Sequence, residues 1–290
     1  MSILLHRILT LARVSNLPTV WSNCLAAWFI SGADVSWELL PLLIGSSLLY
    51  AGGCTLNDAF DAKWDGAHRP ERLIPSGQMA TPLVWGIGAF EMVAGVVLTL
   101  AGGFSYLWPA LGLAACILLY DAWHKQSPLS VITMGACRWL LYVTAASAAG
   151  IGLQKAMISG GVVWLYIIVL SLVARGEAKR NAGAGSGRWW LLLLIIPFLL
   201  LGLIENAGDY EMRGRLMAGL LFGVGLALLL PWRSRNVGHW VNRLLAGIPV
   251  LDLALVIIAL ESLGCGRAWL AVFPAAIVLS LLFQRWFKAT

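Results

Sequence analysis

Apolar runs of roughly membrane-spanning length follow one another along almost the whole chain, and this repetition constrains the fold more than any single residue. The runs read as 14–32, 37–57, 82–103, 105–121, 128–151, 159–175, 188–205, 214–231, 244–263 and 268–286. A helix needs about 20 residues to cross the hydrocarbon core, so 105–121 and 159–175 are short for the task. The expected architecture is an all-α, polytopic transmembrane helical bundle of nine or ten helices, with residues 1–290 forming a single domain. Composition agrees. Charged residues make up 12% of the chain, about half the share a soluble domain uses to cover its surface.

Most of the 20 Lys and Arg fall on one side of such a bundle. Ten spans with a cytoplasmic N-terminus leave only Lys155, Arg213, Arg215 and Arg267 on the far side and Arg138 within a span. That is the bias of the positive-inside rule. It predicts a multi-pass protein of the cell membrane, the inner membrane in a bacterium, with its polar chemistry facing the cytoplasm. The net charge of +6 is mainly this topology signal, and it also suits an anionic substrate. No nucleic-acid signature is present, and the longest polar stretches (57–81, 175–188 and 232–243) are too short for a soluble domain. The first apolar run follows Arg7 and Arg13 without a cleavage site and reads as a retained span. Trp37, Trp108, Trp189, Trp232, Trp269 and Trp286 flank apolar runs, as interfacial Trp does, whereas mid-span Trp164 is expected to pack between helices. Cys24, Cys54, Cys116, Cys137 and Cys265 form no C-x-x-C pair and read as small apolar residues.

The second run ends in Asn57-Asp58-Ala59-Phe60-Asp61-Ala62-Lys63-Trp64-Asp65. On a helix Asp58, Asp61 and Asp65 share one face, with Asn57 beside them. Carboxylates so placed repel one another unless a cation lies between them. Oxygen-only donors suit a hard ion, commonly Mg²⁺, which uses one or two carboxylates plus substrate phosphate oxygens. A solvated helix end is the plainer reading, but acids directly after an apolar span are costly. Next comes His68-Arg69-Pro70-Glu71-Arg72-Leu73-Ile74-Pro75-Ser76-Gly77, a fixed loop by its Pro and Gly. Its Arg69 and Arg72 carry guanidinium forks that match phosphate geometry.

Taken together, Asn57-Asp58-x-x-Asp61-x-x-x-Asp65 and Arg69-Pro-x-Arg72-x-Ile-Pro-Ser-Gly77 resemble the first signature of the UbiA superfamily of intramembrane prenyltransferases. The resemblance implies an all-helical fold of typically nine transmembrane helices. It also implies a prenyl diphosphate bound through Mg²⁺ and transfer of the prenyl group to an acceptor, here unidentified. On that basis Asp58, Asp61 and Asp65 are expected metal ligands, and Asp58, Asp61 and Lys125 the catalytic set. Arg13, Asn23, Asn57, Arg69, Arg72 and Tyr120 are expected at the substrate.

Each further position has a second reading. Arg13 is also a candidate interface anchor, and Asn16-x-Pro18 reads as a helix start. Tyr120-Asp121-Ala122-Trp123-His124-Lys125 resembles the family's diphosphate-contacting Tyr…Lys element, with Asp121 and His124 as unusual additions; a plain interface anchor is the alternative. Arg138 faces either the polar cavity or Glu91. Asp252 and Glu261 read as helix–helix polar contacts.

The family carries a second Asp-rich motif after its sixth helix, and this chain departs from it. That position reads Leu172-Val173-Ala174-Arg175-Gly176-Glu177-Ala178-Lys179-Arg180, with one acid. A directly placed cation neutralises a diphosphate oxygen much as a second Mg²⁺ would. Arg175, Glu177 and Lys179 are therefore candidate substrate residues, with Asp121 helping to orient them; a basic membrane-flanking loop is the alternative. This segment and the Tyr120–Lys125 element resemble the UbiA-like EboC subfamily of bacterial metabolite gene clusters, which implies no particular reaction. Besides prenyl transfer, two other functions fit the sequence. One is a non-catalytic isoprenoid- or diphosphate-binding protein that aids metabolite export or assembly. The other is an ion-coupled transporter using Glu91, Arg138 and Asp252.

Overall fold

A computed structural model of the protein describes residues 2–102, 107–178, 209–230, 237–259 and 267–287, which are helical with short connections. In chain order the helices are α1 (Ile3–Leu11), α2 (Leu17–Ile30), α3 (Leu39–His68), α4 (Thr81–Thr99), α5 (Leu107–Trp123) and α6 (Ser130–Ala149). They continue as α7 (Leu153–Ala178), α8 (Asp209–Leu229), α9 (Val237–Ala246), α10 (Ile248–Ile258) and α11 (Val272–Trp286). Among the described residues six helical stretches are long and apolar enough to cross a bilayer, and two shorter apolar helices accompany them. The chain is a multi-pass membrane protein.

The expected spans that lie among the described residues fall on helices, with two adjustments. The short run 159–175 belongs to the longer α7, of which Leu153–Leu172 is apolar enough to span. The run 244–263 is broken: its described part belongs to the apolar stretch His239–Ile258, interrupted between α9 and α10 at Gly247. Pro249, in the first turn of α10, has no N–H with which to continue the ladder. At the break the Leu244 carbonyl accepts from the Gly247 N–H at 3.0 Å and from the Tyr166 hydroxyl at 2.8 Å. The run 188–205 and Glu261 lie outside the described residues.

α2 is the central helix. It is apolar on nearly every side, and it contacts α3, α6, α7, α10 and α11. A helix hydrophobic all round has to be buried, and Val20, Cys24, Ala26, Ala27, Trp28 and Phe29 are. Asn16 precedes α2 with Pro18 in its first turn, the helix start read from the sequence, although no side-chain cap bond forms. Trp164 donates to the Ile132 carbonyl at 3.0 Å and so packs α7 on α6 as expected. Trp37, Trp108, Trp269 and Trp286 are exposed at the ends of apolar stretches. The four described cysteines are free thiols, buried or half-buried.

The antiparallel pair α3 and α4 approaches most closely, because glycines recur at a seven-residue interval on both helices. Gly45 and Gly52 of α3 face Gly95 and Gly88 of α4. A Cβ on Gly95 would lie 2.7 Å from the Leu49 backbone nitrogen, and one on Gly52 would lie 2.9 Å from that of Met92. Small residues at such contacts let membrane helices touch backbone to backbone. Overpacking here has to move backbone rather than a flexible side chain. Gly95→Val is accordingly expected to destabilise the protein by about 1–3 kcal/mol, read as a lower thermal-unfolding midpoint in detergent. An unchanged midpoint would contradict this packing.

This pairing also positions the site, because α3 runs on past its apolar part to His68. The segment 69–80 then folds back in turns, with Ser76 N–H donating to the Arg72 carbonyl at 2.9 Å and Met79 N–H to that of Leu73 at 3.0 Å. Gly77 has φ +73°, open to glycine at no steric cost. Leu11, Ala59, Met79 and Val84 pack beneath the segment, and Arg7 donates to the Gln78 carbonyl at 2.9 Å. The arginine loop is therefore held over the end of α3.

Candidate active site

The end of α3 presents Asp58, Asp61 and Asp65 on one face, as their spacing requires. Asp61 and Asp65 are buried, and Asp58 is largely covered. Such carboxylates need counter-charge, and three other parts of the chain supply it. Arg72, from the loop, donates at 3.0 Å to both Asp58 and Asp65. Arg13 donates to Asp58 at 3.1 Å and lies 3.4 Å from the Asn57 side-chain oxygen. Lys125 Nζ is 3.0 Å from Asp61, and His124 Nε2 is 3.3 Å from the same oxygen.

Local structure explains how these partners arrive. Arg13 occupies the left-handed region, with φ 44°, at the corner between α1 and the turn leading into α2. Non-glycine residues avoid that region unless their surroundings enforce it, and here the corner turns the guanidinium toward α3. Lys125 lies just past the end of α5. It is also held over the Trp64 ring, 3.8 Å from its centroid, a cation–π contact beside the carboxylate. Trp64 stacks in turn on His68, and Tyr120 stacks on His124.

Of the residues expected at the substrate, Arg13, Asn57, Arg72 and Lys125 thus join the three aspartates, and Tyr120 stands at their edge through His124. Arg69 does not enter the cluster. Its N–H caps the Asp65 carbonyl at 2.7 Å, and its exposed guanidinium lies 5.8 Å from the Trp64 ring centroid. Asn23 is fully buried elsewhere, between Asp252 and Arg138. Arg175 and Glu177 lie on α7 with side chains outside the described residues, and Lys179 and Arg180 are wholly outside them.

Two contributors, His124 and Trp64, were given no role from sequence, and Asp121 was expected only to orient the basic residues near 175–180. Asp121 is buried and accepts from Asn57 at 3.0 Å. The visible signal was an acid and a histidine within four residues of Lys125 at the end of an apolar run. Which partner they would meet depended on how α5 packs on α3.

Arg138 resolves toward the interior rather than toward Glu91. It donates to Asn23 at 2.8 Å and to Thr19 at 3.0 Å, while Glu91 accepts from Thr55 at 2.8 Å. Asp252 accepts from Ser22 at 2.6 Å, Tyr142 at 2.6 Å and Asn23 at 2.9 Å. It is a helix–helix polar contact joining α2, α6 and α10, as read from the sequence.

The donor set suits a hard divalent ion. Its oxygens come from aspartates on one helix face, and the buried Asp65 Oδ1 has no hydrogen-bond partner among the described residues. Among the described residues no group of three or more acids, histidines or cysteines is close enough to cage an ion alone. Mg²⁺ seldom needs such a cage, since it retains waters and completes its shell with substrate phosphate.

Comparison with known proteins identifies the family and the fold. Residues 16–290 match the model of the UbiA prenyltransferase family. A digeranylgeranylglyceryl phosphate synthase from Methanothrix thermoacetophila is 25% identical over 81% of this chain and 93% of its own length. A 4-hydroxybenzoate octaprenyltransferase from Pseudomonas entomophila is 22% identical over 81% of this chain and 88% of its own length. Among solved structures, one of digeranylgeranylglyceryl phosphate synthase aligns with a TM-score of 0.63 at 18% identity, covering 89% of this chain and 99% of the other. A UbiA homolog from Archaeoglobus fulgidus bound to GPP and Mg²⁺ aligns with a TM-score of 0.55 at 14% identity, over 88% of this chain and 99% of its own. The chain belongs to the UbiA prenyltransferase family, whose members transfer prenyl groups within the membrane.

Proposed function

We propose that the carboxylate face of α3 and its basic partners bind the diphosphate of a prenyl diphosphate together with Mg²⁺, and that the prenyl group passes to an acceptor nucleophile. The observation that carries this reading is the pairing of Asp58, Asp61 and Asp65 with Arg13, Arg72 and Lys125. In this reading an arriving diphosphate competes with the carboxylates for these cations. Arg13, Arg72 and Lys125 turn to phosphate oxygens, with Tyr120 and Arg69 at the margin. Asp58, Asp61 and Asp65 are then released to hold the metal, with Asn57 beside them. Bound there, Mg²⁺ supplies Lewis-acid neutralisation of the leaving diphosphate. As the allylic C1–O bond breaks, its electron pair leaves with the diphosphate, whose charge the guanidiniums and ammonium stabilise. The acceptor forms its bond to C1 and loses a proton, and the isoprenoid tail lies among the apolar helices. Arg175, Glu177 and Lys179 are kept as candidate substrate residues on the sequence alone. The site faces the cytoplasm, as the distribution of Lys and Arg supports.

The test is pyrophosphate release by the full chain in proteoliposomes, offered prenyl diphosphates of several lengths with Mg²⁺ and a panel of acceptors that includes 4-hydroxybenzoate. Release is expected with Mg²⁺ and should fall to background with EDTA. Release that survives EDTA would overturn the metal assignment. Tight binding without release for any acceptor would replace transfer with a non-catalytic isoprenoid-binding role.

A further inference from the structure

Asp121 is an acid that the pairing described above does not use. It sits near the end of α5, only 5% exposed. Its Oδ1 accepts from the Asn57 amide at 3.0 Å, while its Oδ2 is buried with no hydrogen-bond partner among the described residues. A buried carboxylate oxygen without a partner is costly. Asn57 ties Asp121 to the α3 site, because the other end of that amide lies 3.4 Å from Arg13, which also holds Asp58. Asp121 also lies within electrostatic reach of Arg13, Asp61 and Asp58.

The charges sharpen the point. Arg13, Arg72 and Lys125 have direct contacts to Asp58, Asp61 and Asp65, whereas Asp121 is held by an amide, which is neutral. Adding a diphosphate would draw the basic groups away and leave four carboxylates in one buried region. A multivalent cation placed among them relieves that. Among the described residues Oδ2 of Asp121, beside Asn57 at this end of the acidic face, has no hydrogen-bond partner to give up to such a cation.

We propose that Asp121 is a ligand of the divalent ion, a carboxylate contributed by α5 to the site on α3 and oriented for that task by Asn57. This rests on the metal–diphosphate reading above and extends it to a second helix. Metal binding then couples α5 to α3 directly, and Asn57 acts as a positioning residue rather than a ligand.

The experiment is Mn²⁺ binding, followed by electron paramagnetic resonance on the full chain in detergent with inorganic pyrophosphate present. Asp121→Asn keeps the size of the side chain and an oxygen for the Asn57 amide. It is expected to weaken Mn²⁺ by about tenfold or more. Asp121→Cys is expected to bind Cd²⁺ more tightly than the wild type while losing Mn²⁺, because a thiolate prefers the softer ion. Asp58→Asn is the reference. If Asp58→Asn weakens Mn²⁺ but Asp121→Asn binds it like the wild type, Asp121 is not a ligand and the α3 site stands. If Asp58→Asn also binds Mn²⁺ like the wild type, the underlying site assignment fails. Should Asp121→Asn not fold, the Cd²⁺ preference of Asp121→Cys decides, and an unchanged preference overturns the proposal.

Discussion

Asp61→Ala is expected to reduce prenyl-diphosphate turnover by at least about a hundredfold to a thousandfold, the scale of losing one preorganised electrostatic group. The loss should lie in kcat rather than in folding, for two reasons that meet at one side chain. Asp61 lies in the middle of the acidic face, between Asp58 and Asp65, and is expected to hold the metal. It is also the carboxylate that anchors Lys125 and His124, at 3.0 and 3.3 Å. Alanine removes a metal ligand and leaves Lys125 held only by the Trp64 ring. Asp61→Asn separates the two effects. The amide still offers Lys125 an oxygen but is a poor ligand for Mg²⁺, so its turnover should be nearly as low. Pyrophosphate release per purified, folded protein is the measurement. Full turnover by Asp61→Ala would sink the mechanism.

Asp252→Ala is expected to act on stability instead, and strongly. Asp252 is fully buried at the centre of the bundle, where Ser22, Asn23 and Tyr142 all donate to it. Asn23 accepts in turn from Arg138, so a single amide joins a positive and a negative charge across α2. Removing one end leaves the guanidinium without its counter-charge and takes the acceptor from the Asn23 amide and the Tyr142 hydroxyl, while Ser22 can still reach the Thr19 carbonyl at 3.1 Å. Breaking a buried pair in this way typically costs about 3–5 kcal/mol. Thermal unfolding in detergent should show the loss. In a double-mutant cycle with Arg138→Gln, the combined loss should fall well short of the sum of the single losses. Additive losses would mean that Asn23 does not link the two charges. The same geometry explains why Asn23, expected at the substrate from the family resemblance, is instead committed to the core.

The residues differ in how much of their role could be read in advance. The face of Asp58, Asp61 and Asp65 followed from helical periodicity alone, since positions three and four apart share a side of any α-helix. Arg72 was legible because it follows within a short loop closed by Pro and Gly. Lys125 was legible only through a resemblance of motif. Asp121 and His124 stood out as unusual without revealing their partners, and Trp64 gave no signal among 15 tryptophans. Arg69 and Arg72, three residues apart in the same loop, looked equivalent. The backbone turn that begins as Arg69 caps α3 sends one outward and the other onto the carboxylates.

What the sequence alone determined was everything governed by local period and by solvent: the bilayer-spanning helices, the acidic face at the end of α3 and the polar loop beyond it. Hydrophobic runs and helical spacing are properties of neighbours in the chain, so they need no fold to be read. The tertiary structure decided which charges meet. Arg13 reaches Asp58 from 45 residues away, and Asn57 meets Asp121 across 64. The break at Gly247 carries Asp252 to the central helix rather than to a substrate. Such partners depend on helix-to-helix packing, which glycine contacts such as those between α3 and α4 set at backbone distance, and no spacing along the chain encodes them.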